Sequence, residues 1–452
     1  MATSLSNYDG SIAFTPQQIV FPETVAEIQA VLRDTARYPS PVRAMGSHHS
    51  LTPCAATDGT IVNMLRMTRV LSIDHERQTI TAEAGLQYID ANTALRDVGL
   101  QFMLNVEIGN MTLGSAACCH SKDALDGHEL GQVSSYVTQI RWVDPAGELQ
   151  EASEDRNPEL LRRMRSSHGL CGVVYEVTMR VKPLEAAQLT YLPRPVDELT
   201  EAEVDDVIAR SEGLVCWTVG RTSVFQTKQR IADPAVCGWL AAQTRRMLWS
   251  NVAAFWARAI DQYLDGPFET LAQDQAMGLT RMVYYTLQMT GGLQFLDADK
   301  TIDYRSTEAP ARYAFTFWAF PRARWLSALR EYLEFADDHY RRYGFRCNMP
   351  MGAYYIRKDR SSLLSYSHDG DVFSLDPIHA PSDQAAWDRF LREFNEFAAR
   401  RNGVPLLNQS PFVTRAHCEA AYGSRWTEFS AWVRSTDPDG RMRNRFFSDL
   451  LS

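Results

Sequence analysis

One glycine, two serines and two histidines crowd into six residues, Met45-Gly46-Ser47-His48-His49-Ser50, directly after the strand-like run Val42-Arg43-Ala44. A glycine-bearing loop of small hydroxyl residues turns sharply and aims backbone N–H groups at an anion, so this stretch is a candidate phosphate cradle. Its plain alternative is a polar surface turn. A second stretch, Gly109 to His120, carries the small run Gly114-Ser115-Ala116-Ala117 ahead of Cys118-Cys119-His120. Small residues let backbone approach a flat ligand, and equally let a helix pack close against a sheet. Further groups with chemistry stand late in the chain. In residues 352–358 strand alternation sends Ala353, Tyr355 and Arg357 to one face and Tyr354, Ile356 and Lys358 to the other. Gln409 can hydrogen-bond a hydroxyl but supplies neither charge nor a base near neutral pH. His379 is a base candidate, with a loop-surface histidine as the alternative.

Arg43-Ala44-Met45-Gly46-Ser47-His48-His49-Ser50 resembles the first flavin loop of the vanillyl-alcohol-oxidase-type (PCMH-type) FAD family, and within it the alditol oxidases and aldonolactone oxidases. The resemblance implies that Met45 to Ser50 wrap the FAD pyrophosphate. It also implies that His49 forms the covalent bond to the flavin 8α-methyl group; a noncovalent flavin with His49 lining the pyrophosphate is the alternative. Thr112-Leu113-Gly114-Ser115 resembles the family's second flavin segment, and His120 stands where the family has His-Gly, here followed by Ser121. Gly109, Thr112, Gly114, Ser115, Ala117, Cys118 and His120 are thereby expected at the isoalloxazine edge. Gly131 and Ser134 resemble the ribityl and adenosine segment, and Gly169, Gly172, Val173 and Val174 resemble the closing strand, whose backbone would meet the adenine or flavin edge.

Tyr355-Ile356-Arg357 resembles the alditol oxidase Glu-x-Arg pair, with Tyr355 in the glutamate's place and Arg357 on the arginine. Gln409 stands where the oxidases have a lysine, and Ser115 resembles the substrate serine, or is only a small residue beside the ring. The tail, Tyr422-Gly423-Ser424-Arg425-Trp426 followed by Asp437-Pro438-Asp439-Gly440-Arg441 and Asn444, is similar to the aldonolactone oxidase C-terminus, which returns to the flavin domain.

Strands are expected at residues 18–21, 59–64, 70–74 and 79–84, with a further one running into the His49 loop and an amphipathic helix after Pro22 built on Val25, Ile28, Val31 and Leu32. This βαββ start puts the candidate cradle after its second strand, and no G-x-G-x-x-G follows the first, which disfavours a Rossmann nicotinamide site. A helix over 88–98 ends at Gly99, and a strand follows at 139–144. Beyond Pro183 the pattern predicts a helix over 200–211 with a Thr200/Glu203 capping box. It also predicts an apolar helix over 241–264, a strand over 312–320, helices over 322–343 and 387–401, and strands over 352–358 and 371–375. The apolar helix reads as packed on a sheet, with a membrane-surface or lid role as the sharper alternative. Together these form an antiparallel sheet with helices laid on one side.

The 452 residues are too many for one core and imply two domains. A formal charge of −9 with scattered basic residues argues against nonspecific nucleic-acid binding. No run approaches the length of a transmembrane span, and the first residues lack the basic start and apolar core of a secretory signal, so cytoplasmic residence is the expectation. Eight cysteines without CxxC or zinc spacing predict reduced, buried thiols and no metal site. Disorder is expected, if anywhere, only in the first dozen residues.

The expectation is therefore an α+β, two-domain PCMH-type FAD-binding fold. Residues 1–183 form the FAD domain, 184–420 an inserted α+β cap on an antiparallel sheet, and 421–452 a segment returning to the FAD domain. The implied activity is oxidation of a small-molecule alcohol at a CH–OH carbon by hydride transfer to flavin, with molecular oxygen as acceptor and hydrogen peroxide as product. The alternatives are a flavin dehydrogenase or reductase using another acceptor, and a flavin-binding protein whose catalysis has lapsed.

Overall fold

The computed structural model describes residues 3–104, 106, 108–122, 130–231, 254–264, 266–289, 294–297, 312–380 and 383–452. The first helix, Val25–Arg33, starts at Thr24, whose side chain accepts the Glu27 N–H, and it buries Ile28, Val31 and Leu32 at helical spacing. That face packs on a three-stranded parallel sheet ordered Gln18–Val20, Thr60–Asn63, Val42–Met45, sharing one apolar cluster with Val42, Val62 and Val173.

Beside it stands an antiparallel sheet ordered Leu149–Ser153, Val137–Val143, Val173–Pro183, Thr79–Glu83, Val70–Asp74, with Leu100–Phe102 on the far end of Val173–Pro183. The run of small residues becomes the short helix Leu113–Cys118. It lies so close to the sheet that a Cβ on Gly114 would stand 3.1 Å from the Cβ of Ala84.

An eight-stranded antiparallel sheet forms the second unit, ordered Gln294–Asp297, Ala186–Pro195, Thr222–Ile231, Gly213–Val219, Met351–Ile356, Val372–Leu375, Trp318–Pro321, Val404–Pro405. Helix Arg322–Tyr343 covers one face through Trp325, Leu329 and Tyr332, with Trp325 stacked on Phe373 at 4.3 Å, and it ends at Gly344 in the left-handed region. Helix Gln384–Ala399 extends the same core through Trp387, Phe390 and Phe394. Trp318, Trp325 and Trp387 are fully buried, each worth roughly 2–3 kcal/mol or more of transfer free energy.

Helices are not confined to one side. Leu214 and Cys216 face the core with Trp325, while Val215 and Trp217 face a cluster that includes Ala257, Tyr284 and Leu287. The last three lie on helices Ala254–Tyr263 and Gly266–Met289, the second of which the sequence pattern did not announce. Of the helix expected over 241–264, residues 241–253 lie outside the described residues, as do Trp239 and Trp249. The strand expected over 312–320 is two, Ala314–Phe315 and Trp318–Pro321, because Phe315 pairs with Ile378 while Trp318 pairs with Leu375.

Near the chain's start Leu5–Ser6 pairs with Ala13–Phe14 as a hairpin. The tail reaches the opposite end of the sequence. Arg441 donates to the carbonyls of Val31, Leu32 and Tyr38 and to Ser40 Oγ, and the Val42 N–H donates to the Arg441 carbonyl at 2.7 Å. Among the described residues no helix is long and apolar enough to cross a membrane.

Candidate active site

Strand Val42–Met45 ends at Gly46, where a Cβ would lie 2.5 Å from Thr112 Oγ1, so only glycine lets the two loops meet this closely. Ser47 Oγ donates to the Asn110 carbonyl at 2.5 Å and fastens the same contact. His48 is held in the left-handed region with its Nδ1 3.0 Å from the Ser6 carbonyl. The next ring, His49, points elsewhere and stacks on Tyr8 at 4.0 Å and 20°. Burial pushes the His49 imidazole down to about 4, with His48 and Arg312 adding to the shift. The N-terminal hairpin therefore roofs this loop: the Tyr8 N–H donates to the His48 carbonyl and Asn7 Nδ2 to the Ser50 carbonyl, each at 3.0 Å.

A groove runs beneath. Its walls are Met45 and Gly46 on one side, Thr112, Gly114, Ser115 and Cys118 on a second, and Gly169, Gly172 and Val174 on a third. Thr112 caps the short helix by accepting the Ser115 N–H. Gly172, at φ +132°, is forced by the Val143 carbonyl, 2.1 Å from where its Cβ would be.

Several expected residues stand behind these walls. Ala117 is fully buried in the core, Gly109 accepts the Ile89 N–H, and the Ser134 carbonyl accepts the Val137 N–H. Gly131 and the buried Ser134 lie outside the lining. Val173 is turned away by strand alternation into the first helix's cluster, so its side chain is not at the groove. Asn444 braces the His49 loop from outside, its Nδ2 contacting the carbonyls of Pro53, Cys54 and Ala56.

Three residues that pattern reading passed over tie the site together. Arg43, almost wholly buried, donates to the carbonyls of Cys54, His168, Gly169 and Met442, joining both flavin-loop candidates to the tail. Its signal in the sequence was a charge inside an apolar strand. His168 lines the groove and meets His120 edge to face at 5.0 Å; among the described residues neither His168 ring nitrogen has a hydrogen-bond partner, while His120 is drawn on by the backbone of Leu364. Burial holds His120 down to about 4 and His168 well below its ordinary value. Asn110 Oδ1, beside Ser47, is likewise unpaired. A slot walled by small residues and edged by unpaired buried polar atoms fits a flat, polar-rimmed dinucleotide, because each such atom left empty costs about 1–3 kcal/mol. The described cysteines are free thiols, and burial raises Cys118 to about 11, which makes it an inert wall.

Residues 406–410 of the cap meet both loops. The Leu51 N–H donates to the Asn408 carbonyl, Thr52 Oγ1 to the Leu407 carbonyl, and Asn408 Nδ2 to the His120 carbonyl. Gln409 is carried there with its Oε1 unpaired.

The other catalytic candidates, Tyr355, Arg357 and His379, lie outside the lining of this groove. Tyr355 lies on the face covered by helix Arg322–Tyr343, packed on Phe373, with its hydroxyl donating to Asp371 at 2.5 Å. Arg357 follows the last strand residue, Ile356, and shares Tyr355's surroundings. Tyr354, one residue back, faces the flavin-loop side, where Lys122 Nζ sits 4.0 Å from its ring centroid. His379 is fully buried between Phe345 and Trp387, its Nδ1 accepting the Asn348 N–H at 3.3 Å, and burial drives it down to about 3. A sealed aromatic box gives it no substrate to deprotonate.

An FAD-binding-domain family model matches residues 16–153, and a D-arabinono-1,4-lactone oxidase model matches residues 177–450. The L-gulonolactone oxidase of Scyliorhinus torazame is 22% identical over 454 residues, covering 99% of this chain and 98% of that protein. The L-gulono-1,4-lactone dehydrogenase of Mycobacterium tuberculosis is 31% identical over 186 residues, 41% of this chain and 42% of that protein. Among solved structures, cholesterol oxidase from B. sterolicum matches with a TM-score of 0.78 over 100% of this chain and 97% of that one, at 15% identity, a likeness of fold alone.

Proposed function

The chain belongs to the D-arabinono-1,4-lactone oxidase family, whose model matches residues 177–450, and from that premise we propose an FAD-dependent oxidase of a CH–OH carbon in a lactone or related polyol. The observation that carries the reading is the groove, where loops around Gly46, Thr112 and Gly172 converge beside the buried imidazole of His168. FAD, when bound, supplies the hydride acceptor. The backbone of residues 45–50 and 112–115 would cradle the pyrophosphate and ring edge. His49 would supply the covalent tether, for which a neutral imidazole is required, and burial keeps it neutral above about pH 4. Gln409 and Ser115 meet the substrate side, Gln409 hydrogen-bonding a hydroxyl without adding charge. The substrate domain spans 184–420 between the two parts of the FAD unit.

Oxygen is the proposed acceptor, giving hydrogen peroxide. A dehydrogenase is the second reading, favoured by the relative of that name at 31% identity over 186 residues. An oxygen electrode with D-arabinono-1,4-lactone and L-gulono-1,4-lactone separates them: uptake coupled to turnover supports the oxidase, turnover only with an added dye supports the dehydrogenase. Acid denaturation tests the tether. Yellow protein that turns colourless-on-extraction in His49→Ala is expected; FAD fully released from the unaltered chain refutes the bond.

A further inference from the structure

Many of the ion pairs in this protein lie at the surface, but one links the two units in the interior. Lys122, two residues after His120, extends from the FAD unit to Asp376 of the cap, Nζ to Oδ2 3.4 Å, with side-chain exposures of 9% and 4%. The ammonium is clamped between rings, 4.0 Å from the Tyr354 centroid and 4.3 Å from that of Phe317. Tyr354 and Phe317 belong to the cap face that carries Leu406, the start of the segment bonded to both flavin loops. The pair therefore lies at the seam where a substrate would reach the flavin unit.

Asp376 bridges Gly352 through the backbone, and a Cβ at 352 would stand in ordinary contact with its Oδ2 at 3.8 Å. Its other oxygen, Oδ1, is buried without a partner among the described residues. Two hydroxyls nearby are in the same state. Thr316, whose N–H donates to the Pro377 carbonyl, has Oγ1 unpaired, and so does Ser121, next to Lys122. A buried carboxylate oxygen left empty is costly, and a pair built only as a clamp would have both oxygens satisfied.

Resting on the oxidase reading above, we infer that Lys122 and Asp376 form the substrate's polar anchor, Asp376 Oδ1 accepting a ligand hydroxyl, and that it selects a neutral hydroxylated lactone over its ring-opened acid. The pair is already electrically balanced. A ligand hydroxyl completes Asp376 without adding charge, whereas a carboxylate would bring a second negative charge beside it in a low-dielectric seam. Burial pushes the Asp376 carboxyl up to about 7 against the pull of Lys122 and of the Ser374 hydroxyl, in keeping with a seam that disfavours a further anion.

The test uses the FAD-loaded chain, with L-gulono-1,4-lactone and its ring-opened acid titrated by calorimetry and, separately, by steady-state turnover. The unaltered protein should bind the lactone at least tenfold more tightly than the acid. Asp376→Asn, which keeps shape but removes charge, and Lys122→Met should each weaken lactone binding tenfold or more and raise KM in step, with the flavin spectrum unchanged. Lactone affinity within twofold of the unaltered chain in a folded, FAD-loaded Asp376→Asn overturns the anchor and leaves the oxidase reading standing. So does equal binding of acid and lactone by the unaltered chain, which holds even if the variants fail to fold. FAD uptake with neither lactone binding nor turnover overturns both.

Discussion

At the scale of the residue, the groove depends on how near Gly46 comes to Thr112. Alanine at 46 would put a methyl 2.5 Å from Thr112 Oγ1, and that oxygen is engaged in capping the Ser115 N–H, so it cannot swing away without uncapping the helix. Gly46→Ala is therefore expected to destabilise the protein by about 1–3 kcal/mol and to lower bound FAD per chain. Urea unfolding and the flavin-to-protein absorbance ratio check this; full FAD content at normal stability would show the loops are not so tightly opposed. The loop itself was legible because a glycine among small hydroxyls announces a sharp turn, and the turn is there, with Gly46 pressed on Thr112. Tyr355 and Arg357 were not. Alternation divides a strand into two faces but does not say which is covered, and here Trp325 and Phe373 cover the face that carries Tyr355. His379 misled for a related reason: only its tertiary neighbours reveal the aromatic box.

At the scale of the element, local signals were read well where one residue makes a boundary. Thr200 and Glu203 form the expected capping box on helix Glu201–Arg210, both arms present. Thr200→Ala should cost about 1 kcal/mol in chemical denaturation and leave turnover unchanged, since the helix lies outside the groove. An altered KM would instead tie this helix to the site. Gly344 closing Arg322–Tyr343 was similarly plain. Helix Gly266–Met289 was not, because its apolar residues do not gather into one stripe: Phe268 is 74% exposed and Met289 87%, while Tyr284 and Leu287 touch the sheet cluster. Without a one-sided pattern, periodicity has nothing to report. The small run 114–117 carried two readings, flat-ligand wall and close helix packing, and Gly114 occupies both positions at once: it lines the groove and lies 3.1 Å, by its absent Cβ, from Ala84.

At the scale of the whole molecule, the buried titratable groups make stability depend on pH in a definite direction. His120 and His379 are held down to about 4 and about 3, and His168 well below its ordinary value, all three chiefly by burial. In the unfolded chain each takes up a proton near pH 6.5, so their contribution is present above that pH and is lost as pH falls toward the folded values. Asp376 acts oppositely: raised to about 7, it is protonated in the folded chain and ionised in the unfolded one across the same window. His120, His168 and His379 gain three protons on unfolding and Asp376 loses one, a net two or about 2.7 kcal/mol per pH unit between roughly pH 6.5 and 4, and His49, also held down to about 4, adds about 1.4 in the same direction. The folded state should therefore melt progressively lower through that interval, first where the FAD unit meets the cap, since His120 and His168 stand beside the groove. Melting curves of the FAD-loaded protein from pH 7.5 to 4 read the slope directly. Replacing His379 by Phe, which fills the same aromatic box and takes no proton, should reduce it by about 1.4 kcal/mol per pH unit. A midpoint flat across this range would mean that these imidazoles are solvated or paired in solution, and the sealed core drawn around them would have to be opened.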